Sequence, residues 1–523
     1  MKKIIYILIL SLIISSCEKF LDVKPVGSLI PTDIEQFDNL LYHARTYDFL
    51  FSDNNRGSLL LSLSDEVTIS DKVVLASYKD VSNDRFTPYI FAKPYLNPFK
   101  TDDYFLEAAY KATLYFNTVI DGIKDLGGEE STKGKQLIAQ ARAGRAWTYL
   151  MAGITYGPMF KKGGDNSSKT ISYRTSSSAT KETPKLSTVD ELFNLVKADL
   201  EYAVVNCPSE VIKTVRVNKT TANAIMAQMY MFRADYENMF TYAKTAWDLL
   251  VSARGEENAL YNYNNFFLKP GVKTPKVGED HELYDALNDP SGDILNNPDN
   301  KEILFYRYCP VDGLASKASD EYIALYNADT DIESDRNSYA DLRKKFFMLK
   351  VNTQAAEGAC IRNVRFGNGL GDYTKMCGTQ GISTPELLLM LAEAAARTNR
   401  TAVALSALNL LRSKRYTPVA ISANSARINA LTGDNLIREI LKERQKELPW
   451  KSAKRFWDLK RYNANDPGKP WTKTQITRTV LGTQYTGIIG SDDYQLEIVN
   501  KFITFNPHWG LELYNGVWPS IVL

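Results

Sequence analysis

Ile440-Leu-Lys-Glu-Arg-Gln-Lys-Glu-Leu448, followed after five residues by Lys454-Arg-Phe-Trp-Asp-Leu-Lys-Arg461, is the most telling stretch of the chain. The first run closes a predicted helix over Leu436–Leu448, and the second makes a short helix over Arg455–Tyr462. Both are dense in charge. Glu443, Arg444, Glu447, Arg455 and Asp458 invite a catalytic reading. Ion-pair networks also concentrate acids and bases, and a desolvated charge needs a partner. These five are therefore expected to pair between helices, buried or half-buried.

Working outward, the same helical rhythm recurs upstream. Glu386–Thr398, starting beside Pro385, and Ala402–Tyr416 form an Ala/Leu-rich hairpin. Tyr236–Leu250, Asn218–Arg233 and Thr188–Asn206 are further helices, with a short turn at Ala234-Asp235. Gln136–Tyr156 is a helix stopped by Gly157-Pro158. It is rich in alanine and glycine, and small side chains let helices pack closely as hairpins. A long pattern through Tyr104, Ala108, Ala112, Tyr115, Val119 and Ile120 precedes it, mostly at three- and four-residue steps. Ile34–Tyr47 reads as the first helix of the body, capped by Thr32 or Asp33. The hairpins suggest a tetratricopeptide-like repeat with a loose period.

Three stretches break this rhythm. Residues 51–100 carry three prolines with aromatics around them, and residues 255–380 carry five prolines with many Asn, Asp and Gly. Lys161–Thr183 is a polar loop. Structured irregular chain of this length tends to be functional. Short strands are expected within Lys301–Tyr308 and Phe346–Val351. The tail from Asn463 is read as irregular, with aromatics near its end.

The 523 residues are 24% charged and 44% hydrophobic, which excludes wholesale disorder. With 63 basic against 61 acidic residues there is no basic field, so nucleic acid is not expected as a partner. Three histidines leave little for a metal site, and the four cysteines after Cys17 show no metal spacing; they read as isolated small thiols. At the start, Lys2 and Lys3 precede an uncharged run, Ile4–Ile14, too short to span a bilayer. Ile14-Ser15-Ser16-Cys17 then reads as a lipobox. Residues 1–16 are thus a lipoprotein signal peptide, and Cys17 is the lipidation site. Several acyl chains there, palmitate among them, would anchor the protein stably. Residues 17–31 are a tether, and 32–523 a single domain with loop insertions at about 51–100 and 255–380.

Motifs for chemistry are missing. There is no G-x-S-x-G, no H-E-x-x-H and no phosphate loop; Gly128 to Lys135 misses the last by spacing. Gly367, Gly369 and Gly371 read as turn glycines. Asp329-x-Asp331-x-Glu333-x-Asp335 resembles a calcium loop but has Ser334 where glycine is required and Ala340 at the twelfth position, so a solvated acidic turn is expected. No cofactor or metal is implied. No local pattern nominates a pair of acids for glycoside hydrolysis. What remains is the aromatics of the irregular segments: flat rings cover the apolar faces of sugars while Asn, Asp and Arg bond the hydroxyls.

The whole chain resembles the SusD/RagB family of outer-membrane nutrient-binding lipoproteins. Segments that carry the resemblance occur in order: Cys17-Glu-Lys-Phe-Leu-Asp-Val-Lys-Pro25; Ala139-Gln-Ala-Arg-Ala-Gly-Arg-Ala-Trp-Thr-Tyr-Leu150, closing at Tyr156-Gly157-Pro158; Val189-Asp-Glu-Leu-Phe with Asp199-Leu-Glu-Tyr-Ala203; Glu386-Leu-Leu-Leu-Met-Leu-Ala-Glu-Ala394 with Ala407-Leu-Asn-Leu-Leu-Arg412; and the two runs quoted first. The family usually has Glu-Gly between those last two, where this chain has Pro449-Trp450-Lys451-Ser452. The resemblance implies a mainly α fold: tetratricopeptide-like hairpins packed against a loop-rich ligand face, with a few short strands. It implies a SusC-type TonB-dependent barrel as partner, capped like a lid, with ligand captured and passed on and no bond broken. The family's ligand contacts lie in divergent loops and do not transfer by motif. The expected contacts here are Tyr89, Tyr95, Tyr284, Tyr306 and Tyr308, with Asp65 and Asn83 as polar partners. The expected function is glycan capture. A peptide-binding member of the family, a surface glycoside hydrolase and a pure helical scaffold are the alternatives.

Overall fold

Small side chains decide how closely the helices meet. Glycine costs helix stability, so it persists in a helix interior where a Cβ has no room. Gly144 and Gly153 lie on one long helix, and a Cβ would fall 2.5 Å from the Phe116 ring at the first and 2.1 Å from Leu192 at the second. That helix, α6 (Thr132–Tyr156), is thereby drawn onto α5 (Leu106–Asp125) on one side and α7 (Val189–Asn206) on the other. Gly153→Val forces Leu192 or the helix to move. Overpacking of this kind costs about 1–3 kcal/mol. The expected result is a lower denaturant midpoint at unchanged slope, read by urea unfolding.

The computed structural model describes residues 31–47, 58–77, 86–99, 105–180, 183–266, 300–307, 317–327, 340–343, 348–352, 357–361, 380–448 and 454–518. Before α5, among the described residues, come four short helices: α1 (Ile34–Leu40), α2 (Ser58–Ser62), α3 (Asp71–Ser77) and α4 (Phe86–Tyr89). After α7, α8 (Lys219–Phe232) and α9 (Tyr236–Arg254) form a hairpin, and α7 packs on α8. α10 (Asp320–Asn327) belongs to the middle insertion. α11 (Thr384–Arg397) packs against α9, against its hairpin partner α12 (Thr401–Arg415), and against α14 (Gly433–Glu447). α13 (Pro418–Asn429), α15 (Lys454–Asn465) and α16 (Asn500–Phe505) are the remaining helices among the described residues. One continuous apolar cluster runs through the long helices, and α3 and α4 bury Val73, Val74, Phe86 and Tyr89 in a second cluster with Val480 of the tail.

Caps fix the helix starts. The Ser131 hydroxyl accepts from the Gly134 amide at 3.0 Å, and Asn218 Oδ1 from Thr221 at 2.8 Å. Thr188 and Glu191 make a reciprocal capping box at the start of α7, satisfying two orphan donors. The predicted helix ends agree with these to within a few residues.

Among the described residues ten short strands make five antiparallel pairs. β1 (Val67–Thr68) pairs with β5 (Lys317–Ala318), which ties the first insertion to the middle one. β4 (Ile303–Phe305) pairs with β8 (Ile382–Ser383), clamping the middle insertion to the start of α11. β2 (Lys169–Ser172) pairs with β3 (Leu186–Thr188), and β6 (Met348–Asn352) with β7 (Glu357–Ile361). β9 (Gln475–Val480) and β10 (Thr483–Ile488) form a hairpin.

Several elements differ from expectation. β2 falls inside the segment 161–183 read as a loop, α16 in the tail, and the short helices α2–α4 and α10 in stretches read as irregular. The first helix ends at Leu40, and only a 3₁₀ turn at Ala44–Thr46 continues it. α13 was not anticipated, because it buries only Ala420 and Ile428 and so carries little apolar period. The tail is not irregular at β9–β10. Its turn residues Leu481 and Gly482 both have positive φ, 48° and 81°, as a two-residue primed turn requires. Leucine at the first of these positions, where Asn or Asp is usual, hides that signal.

Candidate functional site

The two insertions and the tail meet on a charged joint. Asp65 accepts both Arg455 Nε and Arg455 Nη2 at 2.7 Å, and Lys473 Nζ lies 2.7 Å away. Burial pushes the Asp65 carboxyl up, but Arg455 and Lys473 outweigh it and hold it well below the usual range. Arg478, from β9, donates to the carbonyls of Ser62, Ser64 and Tyr89 and stacks 4.2 Å from the Tyr89 ring centroid. Burial pushes the Arg478 guanidinium down to about 10.

This arrangement corrects four of the expected ligand contacts. Asp65 is spent on two cations. Tyr89 is 1% exposed, and its hydroxyl accepts the Ile69 amide at 2.9 Å. Tyr95 is 1% exposed, and its hydroxyl donates to the Asp493 carbonyl at 2.7 Å. Tyr306 is buried against Ile303, Tyr47 and Val215. Side chains closed in this way present no ring face or free oxygen to a ligand; they hold the inserted loops on the scaffold. Irregular chain cannot satisfy itself by a ladder, so it recruits such residues. Asn83, Tyr284 and Tyr308 lie outside the described residues, as does the acidic turn at 329–335.

The charges of the opening motif pair as expected. Arg343, in the middle insertion, meets Asp341 at 2.7 Å, Glu443 at 2.5 Å and Glu447 at 3.1 Å. Arg415 bridges Glu447 and Glu302, each at 2.9 Å, and Arg412 meets Glu443 at 2.5 Å. Arg444 binds Asp458 at 2.8 Å and Glu386 at 3.2 Å. Arg455 reaches Asp65 rather than a neighbouring helix. Burial pushes Glu443 up, while Arg343, Lys446 and Arg412 hold it well below the ordinary range. Every one of these acids already faces a cation, which suits a clamp between insertion and scaffold. Cys207 is a buried free thiol, raised by burial.

A concave surface lies elsewhere. α5, the segment joining β2 to β3, and the tail enclose a cleft of about 330 Å³. Tyr110, Phe502 and Trp509 supply rings, and Glu107, Arg174 and Asn506 supply polar groups. Tyr110 and Phe502 lie 5.9 Å apart, tilted by 39°. The tail is fastened there by Lys501 on Glu107 at 2.9 Å and by the Trp509 N–H on the Pro184 carbonyl at 2.9 Å. Aromatics near the chain's end are visible in the sequence, but nothing in it brings them to Tyr110, almost 400 positions earlier.

Two family models match the chain. One, described as the SusD family, covers residues 383–507; the other, described as starch-binding associating with outer membrane, covers residues 19–231. The chain belongs to the SusD family. Solved structures repeat the fold. A SusD-like carbohydrate binding protein from Bacteroides vulgatus is 16% identical with TM-score 0.61, over 92% of this chain and 97% of that one. A SusD-like carbohydrate binding protein from Bacteroides fragilis is 16% identical with TM-score 0.60, over 91% and 99%. A SusD superfamily protein from Bacteroides thetaiotaomicron is 17% identical with TM-score 0.58, over 83% and 89%. No curated protein matches. At these identities the structural likeness speaks for the fold alone. In this SusD-family chain no described helix is long and apolar enough to cross a membrane.

Proposed function

We propose that the protein is a cell-surface lipoprotein, anchored through Cys17 in the outer membrane, that captures oligosaccharide or polysaccharide. It delivers the glycan to a SusC-type TonB-dependent barrel and breaks no bond itself. The observation that carries this reading is the match of residues 19–231 to the starch-binding, outer-membrane family. The fold supports it. Rigid helical hairpins hold the inserted loops through buried charges, which is how a scaffold presents a binding face. Within those loops Asn83, Tyr284 and Tyr308 are the proposed ligand contacts.

The test is a combined polysaccharide and peptide array, probed with residues 18–523. At least one glycan should be retained, with no new reducing ends released. Binding to peptides with silent glycans moves the protein to the peptide-binding branch, and release of reducing ends makes it a hydrolase. The full-length lipoprotein should co-purify with a β-barrel partner from detergent-solubilised outer membranes.

A further inference from the structure

The cleft between α5 and the tail has features that core packing does not need. Tyr110, Phe502 and Trp509 are each only half-buried, and Leu114 on the same wall is 48% exposed. Apolar rings left partly open in a concavity of this size mark ligand sites more than folding. Their setting is fixed. The Tyr110 hydroxyl donates to the Ser172 carbonyl at 3.2 Å and accepts the Ser172 amide at 3.1 Å. The Trp509 ring is pinned to Pro184. Rigid aromatic surface binds at low entropic cost.

The polar groups narrow the ligand class. Arg174 bonds the Ser178 carbonyl at 3.0 Å and meets no carboxylate among the described residues. Glu107 is shared by Lys111 at 2.6 Å and Lys501 at 2.9 Å. Asn506 donates to the Phe502 carbonyl at 2.9 Å. Donors and acceptors of both kinds thus flank apolar faces. An acyl chain would leave them unanswered. An extended peptide would want backbone groups of β2. Those of Ser172 are taken by Tyr110, and the Arg174 amide by the Tyr149 hydroxyl at 3.3 Å. A pyranose ring offers both a C–H face for the rings and hydroxyls for the flanking groups.

We infer that this cleft is a saccharide-binding site. It rests on the glycan-capture reading and adds a place that uses neither inserted loop, 51–100 nor 255–380.

The experiment titrates residues 18–523 with maltotriose, cellotriose, xylotriose and trigalacturonate by calorimetry, with a tri-alanine peptide alongside. The wild type is compared with Trp509→Ala, Trp509→Phe and Arg174→Gln, each first checked for an unchanged thermal midpoint. At least one saccharide should bind. Trp509→Ala should weaken it at least about tenfold, as loss of a buried aromatic anchor does, and Trp509→Phe, which keeps a flat ring, should stay within about threefold. Should Trp509→Ala disturb the fold, Arg174→Gln carries the test, with an expected loss of about fivefold or more. Saccharide binding that survives both substitutions overturns this inference while leaving glycan capture at the loops intact. Binding of none of the four saccharides overturns this inference, and silence of the polysaccharide array as well overturns glycan capture. Binding of tri-alanine alone overturns the saccharide assignment of the cleft.

Discussion

Replacing Arg343 by Met is expected to destabilise the protein by about 3–5 kcal/mol, the range for breaking a buried ion pair by removing one partner. Arg343 is fully buried and meets three carboxylates, on Asp341, Glu443 and Glu447. Methionine fills much of its volume, so cavity loss is a small part of the effect. The cost arises because three desolvated acids lose a shared cation. Glu443 keeps Arg412 and Glu447 keeps Arg415, but Asp341 is left with Lys446 at 3.6 Å. Urea unfolding of the single variant and of Asp341→Asn/Arg343→Met separates the causes. If the stranded carboxylate is responsible, the double variant recovers part of the loss, and the two changes fail to add. Strict additivity would show that packing carries the cost. Because Arg343 sits in the middle insertion while Glu443 and Glu447 lie on α14, the single variant should also raise amide exchange at 340–343.

How legible the molecule is depends on where each signal lives. Helices α5, α7, α9, α12 and α14 were readable because each buries one face and so repeats its apolar residues every three to four positions. Helices α6, α8 and α11 are buried nearly all round and were readable as long runs rich in Ala, Leu and Met. Pro385 marked the start of α11. α13 and the β9–β10 hairpin were not readable. The first buries two side chains, and the second places Arg478 inward, midway between Ile476 and Val480, where an alternating strand should be apolar. Arg478 is tolerated there because three backbone carbonyls and the Tyr89 ring receive it. The site was harder still. An aromatic in a proline-rich loop looks the same in sequence whether it faces ligand or anchors the loop. Tyr89, Tyr95 and Tyr306 turned out to anchor. Conversely, Tyr110 falls outside the residues that carry its helix's apolar pattern in the sequence, and only folding brings Phe502 and Trp509 beside it. The motif charges were legible as partners, since five acids and bases so close to apolar positions had to be neutralised somewhere. Which residue met which was not, because Arg343 and Asp65 come from the irregular insertions.

Acid should unfold the protein in a window set by these carboxylates, with Glu393 on α11 as a principal contributor. Its oxygens accept Arg461 at 2.7 and 2.9 Å and Arg397 at 2.9 Å, with no solvent exposure. Burial alone would raise it, but Arg461 and Arg397 bring it from its ordinary 4.5 down to about 2. Its folded pKa is therefore depressed. Above about pH 4.5 the carboxylate is ionised in both states, and its full contribution is present. As pH falls from about 4.5 to about 2 the unfolded chain takes up the proton first, so stability falls, by roughly 3 kcal/mol for this group. Asp65, Glu443 and Asp458 are lowered too and push the same way. Glu302 and Glu497, raised by burial, oppose them, because a folded state that holds its proton more tightly gains as pH drops. The lowered groups outnumber the raised ones, Asp38 and Glu107 being lowered as well, and the balance is a net loss. Thermal midpoints measured from about pH 6 to about pH 3 should stay level and then fall steeply. Glu393→Gln should be less stable at about pH 6, where Arg461 and Arg397 each lose one of two counter-charges and keep Asp458 and Asp466 respectively. Its midpoint should nevertheless fall less steeply below about pH 4.5 than that of the wild type, because one titrating group is gone. An unchanged slope would mean that Glu393 does not titrate with unfolding, and the acid lability would belong to the Arg343 and Arg455 clusters instead.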